Sequence, residues 1–197
     1  MRIIGLSGPA GSGKDTVARA LCETQGFVQI AFADPLRLGL KRIFFPILTD
    51  EHFTNRKLKE AIIPEIGESP RVLMQTLGTE WGRRLINPDV WVILLRMHAE
   101  RIRSSSPNLH INGIVISDIR MENEAAYVRS NGQLWHIHRT TRAYTGLASN
   151  ARLHCSEAGI EWKTGDRCIH NEGSIDDLYE HLGEIFTQEE TSCQTTN

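Results

Sequence analysis

Apolar residues open the chain as one short unbroken run, Ile3, Ile4, Gly5 and Leu6, and the period then changes. A run of that length predicts a strand covered on both faces, whereas the next apolar set, Val17, Ala18, Leu21 and Cys22, recurs at helical spacing until Gly26 ends it. The same alternation continues. Further strands are predicted at 27–32, 111–117, 133–138 and 167–170, with helical patterns between them, so the fold class expected is α/β, a central parallel sheet with helices on both faces.

Four helical stretches carry further expectations. Between 69 and 85, Ser69 is placed to cap a helix with Pro70 in its first turn, and Leu73, Leu77, Trp81 and Leu85 repeat every fourth residue as a core-facing line. Arg71, Gln75, Thr79 and Arg83 form a second line offset by two residues, roughly 200° around the helix. Asn87-Pro88-Asp89 breaks that helix and starts another, in which Val90, Val92, Ile93, Leu94, Leu95 and Met97 are expected to be mostly buried. A helix from Glu122 through Arg129 is closed by Asn131-Gly132, and a final one carries Ile175, Leu178, Leu182 and Ile185 on one side. Residues 188–197 are polar and are expected to form a flexible tail.

Composition narrows the class. At 197 residues with 40% hydrophobic content, one compact domain over 1–187 is expected. The 22 Lys and Arg nearly balance 24 Asp and Glu, a formal net charge of −2. Bulk charge therefore does not draw the chain to nucleic acid or anionic membrane, and no stable nucleic-acid binding is expected. No apolar run approaches the roughly 20 residues that span a bilayer, and Met1 leads straight into the first strand, so a cytoplasmic protein is expected. Cys22, Cys155, Cys168 and Cys193 are scattered without a C-x-x-C pair and read as structural thiols in a reducing compartment. His136 and His138 share a strand face without a third ligand at convincing spacing, which favours packing over a metal.

The chemistry is concentrated after the first strand. Gly8, Gly11, Ser12, Gly13, Lys14, Asp15 and Thr16 lie in the turn GPAGSGKDT, and the spacing from Gly8 to Gly13-Lys14 is the Walker A pattern. Glycines let backbone N–H groups curl around an anion at a helix N-terminus, and Lys14 adds a full charge for the β- and γ-phosphates. A strand before and a helix after the motif are the context that confirms it, and a P-loop NTPase fold of three layers is expected. Thr16 stands one residue later than the hydroxyl of the usual Gly-Lys-Ser/Thr, and Asp15 fills the gap, placed either to hold a metal-bound water or to face the acceptor.

Other candidates follow along the chain. Asp34 is placed to cap a helix that carries Arg37 one turn inside, a candidate for a substrate phosphate. Residues 49–68 are polar and irregular, and together with the helix after them (49–85) they are expected to form an acceptor-binding excursion. Its wall is the line Arg71, Gln75, Thr79 and Arg83, with guanidinium groups for an anion, an amide and a hydroxyl for a base or sugar, and Gly78 giving close access. Asp118 ends a central strand, where a P-loop fold keeps the carboxylate of the Mg²⁺ water shell, and Arg120 lies just beyond as a phosphate clamp. Arg139 and Arg142 are expected on a mobile lid, 139–161. Asn171 and Gly173 are expected to let backbone groups reach a nucleotide base.

Four pieces together, GPAGSGKDT (8–16), AFADPLR (31–37), RVLMQTLGTEWGR (71–83) and SDIRMENEA (117–125), resemble the phage-type deoxynucleoside monophosphate kinases. His154, Ser156, Glu157 and IHNEGSIDDL (169–178) fit the same group, and Gly-Lys-Gly-Thr in nucleoside monophosphate kinases matches the late Thr16. The resemblance implies transfer of the ATP γ-phosphoryl group to a deoxynucleoside monophosphate (dNMP) with Mg²⁺, in host cytoplasm if phage-encoded. It assigns Lys14 and Thr16 to the donor phosphates and metal, Asp118 to the metal shell, Arg71, Gln75, Thr79 and Arg83 to the acceptor, and Arg120, Arg139 and Arg142 to charge stabilisation. The family also contains dimers, of which this sequence carries no independent signal. Rival readings are a P-loop kinase of the dephospho-coenzyme A or phosphomevalonate type, and a nucleotide-binding regulatory protein without catalysis.

Overall fold

The computed structural model describes residues 1–105, 111–139 and 159–194. Two compact units are distinguishable, one formed by residues 1–30 and 103–197 and the other by 31–102. The first holds a five-stranded sheet, β1 (Arg2–Ser7), β2 (Phe27–Ile30), β3 (Gly113–Ile116), β4 (Gln133–His138) and β5 (Arg167–His170). Its order is β2-β3-β1-β4-β5, and every pairing is parallel. The α/β expectation is therefore met, with β1 bonded on both sides.

Alternation along the strands divides the side chains between two layers. Ile4 and Leu6 of β1, Val115 of β3, and Trp135 and Ile137 of β4 pack with α1 (Lys14–Gln25) through Val17, Ala18 and Leu21. Leu178, Leu182, Ile185 and Phe186 of the last helix join that cluster. On the opposite face lies α7 (Glu122–Asn131), whose Ala125 and Val128 are fully buried. Gly26 closes α1 in the left-handed conformation at φ 67°, as the sequence predicted. The final helix, α8 (Ile175–Gln194), continues past the point where a tail was expected, because Gln188, Glu189 and Glu190 are good helix formers even without an apolar face.

The α7 face also buries a polar chain. His136 is 1% exposed, with Nε2 2.9 Å from Oδ2 of Asp166 and Nδ1 3.1 Å from the Ser7 hydroxyl. Asp166 in turn accepts from Arg129 Nε at 2.9 Å and Nη2 at 2.8 Å, and from the backbone N–H of Lys163. Glu122 completes the chain with ion pairs to Arg129 and Lys163. Both ring nitrogens of His136 are thus taken up by protein partners. Of the cysteines expected as thiols, Cys22 is free and Cys168 is disulfide-bonded.

The second unit comprises α2 (Asp34–Ile43), α3 (Glu51–Thr54), α4 (Arg56–Glu60), α5 (Pro70–Gln75), a π-helix (Thr76–Ile86) and most of α6 (Val90–Ser105). Residues 49–68 are less irregular than their composition implies. Phe53 and Ile63 join Leu40 and Leu48 in a small core, and Leu73, Met74 and Leu77 pack against it. Two expectations fail here. Trp81 and Leu85 are 47% and 76% exposed instead of facing the core, because the backbone after Gln75 widens to π geometry and the four-residue line drifts off the packed side. In α6 the buried line is Trp91, Leu95 and Ala99, while Ile93, Leu94 and Met97 are exposed. No helix among the described residues is long and apolar enough to cross a membrane.

Burial pushes the Asp166 carboxyl up, but hydrogen bonds from Arg129, His136 and the Lys163 backbone outweigh it and hold its pKa below the ordinary value. A depressed folded-state value gives stability that is complete above about pH 4, the unfolded value, and is lost as pH falls through the folded one. Denaturant unfolding from about pH 7 to pH 2 should show Asp166→Asn less stable than the native chain at neutral pH, the deficit shrinking on acidification. A deficit independent of pH would show that the carboxylate's charge contributes nothing.

Candidate active site

The site of the first unit begins where β1 ends. Gly8 takes φ 147°, and a Cβ there would lie 2.4 Å from the carbonyl oxygen of Ile137, so the turn is open only to glycine. Gly11 and Gly13 follow at φ 83° and 96°, and Gly13 precedes α1 without any side-chain cap. The first-turn N–H groups of α1 are thus left for an external acceptor, and the helix dipole favours an anion there. The Ser12 hydroxyl is buried with no partner among the described residues, a donor suited to a phosphate oxygen.

Lys14 spans this loop. Its Nζ donates to the carbonyls of Gly8 at 2.8 Å and Pro9 at 2.9 Å, using two of its three protons. Burial lowers the ammonium's pKa from its ordinary value; Asp15 opposes that shift, Arg120 adds to it, and Asp118 opposes it again. These four charged groups therefore share one electrostatic environment. A phosphate brought to the loop would favour the charged lysine.

Asp118 is positioned by backbone bonds on both sides of it. Ser117 N–H donates to Ile30 O of β2 and Ile119 N–H donates to Leu6 O of β1, both at 3.3 Å. Gln29 Nε2 adds a 2.8 Å bond to the Ser117 hydroxyl. Beyond Asp118, Glu124 accepts from the backbone N–H groups of Arg120 and Met121 at 2.8 and 3.1 Å, and Met121 stands at the N-cap of α7. Sequence reasoning missed Glu124 because Met121, and not a Ser or Thr, occupies the capping position. Thr16, half-buried in the first turn of α1, and Asp118 are the oxygen donors that suit Mg²⁺, an ion that keeps several waters and is bound through few protein groups.

Asn171 has a different place from the one expected. Its side-chain Nδ2 donates to the Ser12 carbonyl at 3.0 Å, its backbone N–H donates to His138 O at 2.8 Å, and it fills the space a Cβ on Gly13 would need. It supports the phosphate loop from beneath. Gly173 leaves room for Asp177, whose carboxylate accepts from the Ser174 backbone and hydroxyl to cap α8. Arg139 is exposed just after β4; Arg142, His154, Ser156, Glu157 and most of the expected lid lie outside the described residues.

In the second unit, Asp34 is the first residue of α2, where Oδ2 accepts from Ala31 N–H at 2.7 Å and Oδ1 accepts from Arg37 Nη1 at 3.0 Å. The Arg37 Nε is buried with no partner among the described residues. Arg71 is ion-paired with Glu60 on α4, which raises its pKa and lowers that of Glu60. Gln75 is exposed, and Thr79 and Arg83 are half-buried. Gly78 does not open toward the polar line. It is buried beside Leu36, and its carbonyl accepts from Trp91 Nε1 at 2.8 Å, while the Trp91 ring occupies the space beside Gly82. No sequence signal pointed to Trp91, because its pairing is with two glycines on another helix.

The fold is similar to that of shikimate kinase from Aquifex aeolicus, which is 14% identical, with 97% of this chain and 98% of that one covered and a TM-score of 0.52. Sequence makes the relationship more specific. Residues 50–182 match the deoxynucleotide monophosphate kinase family. A putative deoxynucleotide monophosphate kinase of Acanthamoeba polyphaga mimivirus is 30% identical over 195 residues, 92% of this chain and 94% of the relative. The deoxynucleoside-5′-monophosphate kinase of Escherichia phage T5 is 30% identical over 94 residues, 46% of this chain and 35% of its own length. The chain belongs to the deoxynucleotide monophosphate kinase family, a family of phosphotransferases.

Removing the Asn171 carboxamide leaves the Ser12 carbonyl without its buried donor, at a cost of about 1–3 kcal/mol. Asn171→Ala should lower unfolding stability by that order and weaken ATP binding in calorimetry. Full retention of ATP affinity would show that the contact does not shape the loop.

Proposed function

We propose that this kinase transfers the γ-phosphoryl group of ATP to the 5′-phosphate of a deoxynucleoside monophosphate, giving the diphosphate and ADP. An oxygen of the acceptor phosphate forms the new bond to phosphorus, and the bond from that phosphorus to the β,γ-bridging oxygen breaks. The acceptor is already an oxyanion at neutral pH, so no strong general base is required, and catalysis reduces to positioning and electrostatics. The observation that carries this reading is Lys14, held across the phosphate loop by the Gly8 and Pro9 carbonyls in a chain of this family.

Loop amides, the Ser12 hydroxyl and Lys14 hold the donor phosphates. Thr16 and Asp118 would hold Mg²⁺, which when bound neutralises charge on those phosphates. Arg120, with Arg139 and Arg142, offsets charge as the phosphoryl group moves. On the second unit, Arg83, Thr79, Gln75 and Arg37 recognise the acceptor, and Arg71 contributes once released from Glu60.

A coupled ADP-release assay across the four common dNMPs and their ribonucleotide counterparts tests this. Turnover should depend on added dNMP. Lys14→Ala should reduce kcat about a hundredfold or more, the scale for losing a donor aimed at transition-state charge. Arg83→Ala should raise the KM for dNMP and leave that for ATP unchanged. Acceptor-independent ADP release would overturn the reaction, and unaltered acceptor kinetics in Arg83→Ala would remove that residue from the site.

A further inference from the structure

The buried chain from Arg129 through Asp166 and His136 ends on Ser7, the residue immediately before Gly8. We propose that His136 and Ser7 are positioning residues for the phosphate loop, fixing the point at which β1 turns and so the affinity for the donor nucleotide. The proposal rests on the kinase reading only for its catalytic readout, because donor binding can be measured without turnover.

The geometry carries the argument. Ser7 and His136 are paired partners in the register of the adjacent strands β1 and β4. Their side chains join them a second time, at 3.1 Å, and they are 0% and 1% exposed. One residue further on, Gly8 rests against the Ile137 carbonyl so closely that not even a Cβ would fit. The loop therefore leaves the sheet across two consecutive contacts with β4. A displacement of Ser7 passes directly to the adjoining Gly8-Pro9 turn, whose carbonyls hold Lys14.

The other end of the ring is fastened as firmly. The Asp166 side chain is 2% exposed, and as an ionised carboxylate it only accepts. Nε2 of His136 must then carry a proton toward it, and in the neutral ring Nδ1 is left as the acceptor for the Ser7 hydroxyl. Arg129 fixes Asp166 with two parallel bonds from α7, which rests on the same sheet face. From guanidinium through carboxylate to Nε2, the direction of the chain is set by chemistry. None of these four side chains is among the groups assigned to either nucleotide.

The test separates the two ends of the imidazole. His136→Asn places an amide atom near the position of Nδ1 and keeps a partner for Ser7; His136→Gln reaches the position of Nε2 and keeps the bond to Asp166 alone. Ser7→Ala removes the hydroxyl from the other side. ATP binding by calorimetry, KM for ATP and for dNMP, and thermal stability are measured for each variant and for Ser7→Ala/His136→Gln. Ser7→Ala and His136→Gln should each weaken ATP binding about 3- to 10-fold, the weight of one buried hydrogen bond. The double variant should be no weaker than the poorer single one, because both remove the same bond. His136→Asn should hold ATP affinity within about 2-fold despite any loss of stability, and KM for dNMP should stay constant throughout. Unchanged ATP affinity in Ser7→Ala, or losses that multiply in the double variant, would overturn the proposal and leave the chain a purely structural one. If ATP binds as expected but no dNMP is phosphorylated by the native chain, the proposed reaction fails while the positioning role stands.

Discussion

Strand β1 is hydrogen-bonded to β3 on one side and β4 on the other, and the phosphate loop inherits its place from that double pairing. The six-residue turn Gly8–Gly13, half of it glycine, has little rigidity of its own, since glycine gives up more conformational freedom on folding than any other residue. It is ordered from outside, by the Ile137 carbonyl under Gly8, by the Asn171 carboxamide on Ser12 and by the lysine strapped over its first two carbonyls. Preorganised donors cost nothing to reorient when charge develops, which is where a phosphotransferase obtains most of its rate.

The carboxyl edge of the same sheet explains why Asp118 belongs with the loop although more than a hundred residues separate them. Parallel strands that are neighbours in space all end on one side, and ligands collect there. Backbone bonds from Ser117 to β2 and from Ile119 to β1 hold the intervening aspartate, and Glu124 fixes the turn into α7 that carries Arg120. The charged groups are therefore placed by main-chain geometry, and the side chains need only point.

Much of this was legible in the residues themselves. The β1 run, the glycine spacing and the Gly26 stop each have a local physical cause, and each behaves as its sequence pattern predicted. The polar line of Arg71, Gln75, Thr79 and Arg83 was legible as a line but not as a shape, since four-residue spacing assumes an α-helical winding that ends at Gln75. Its glycines misled for a related reason. Gly78 and Gly82 lack side chains so that Leu36 and Trp91 can approach, a tertiary fact invisible to a window of neighbouring residues. The Ser7, His136 and Asp166 chain was likewise hidden, because its members are separated by 129 and 30 positions and meet only through strand order.

The wide winding of Thr76–Ile86 has a consequence for its side chains. Bonds that span five residues take in more of the chain per turn than the 3.6 residues of an α-helix, so side chains four apart, such as Thr79 and Arg83, fan out around the axis instead of stacking along one face.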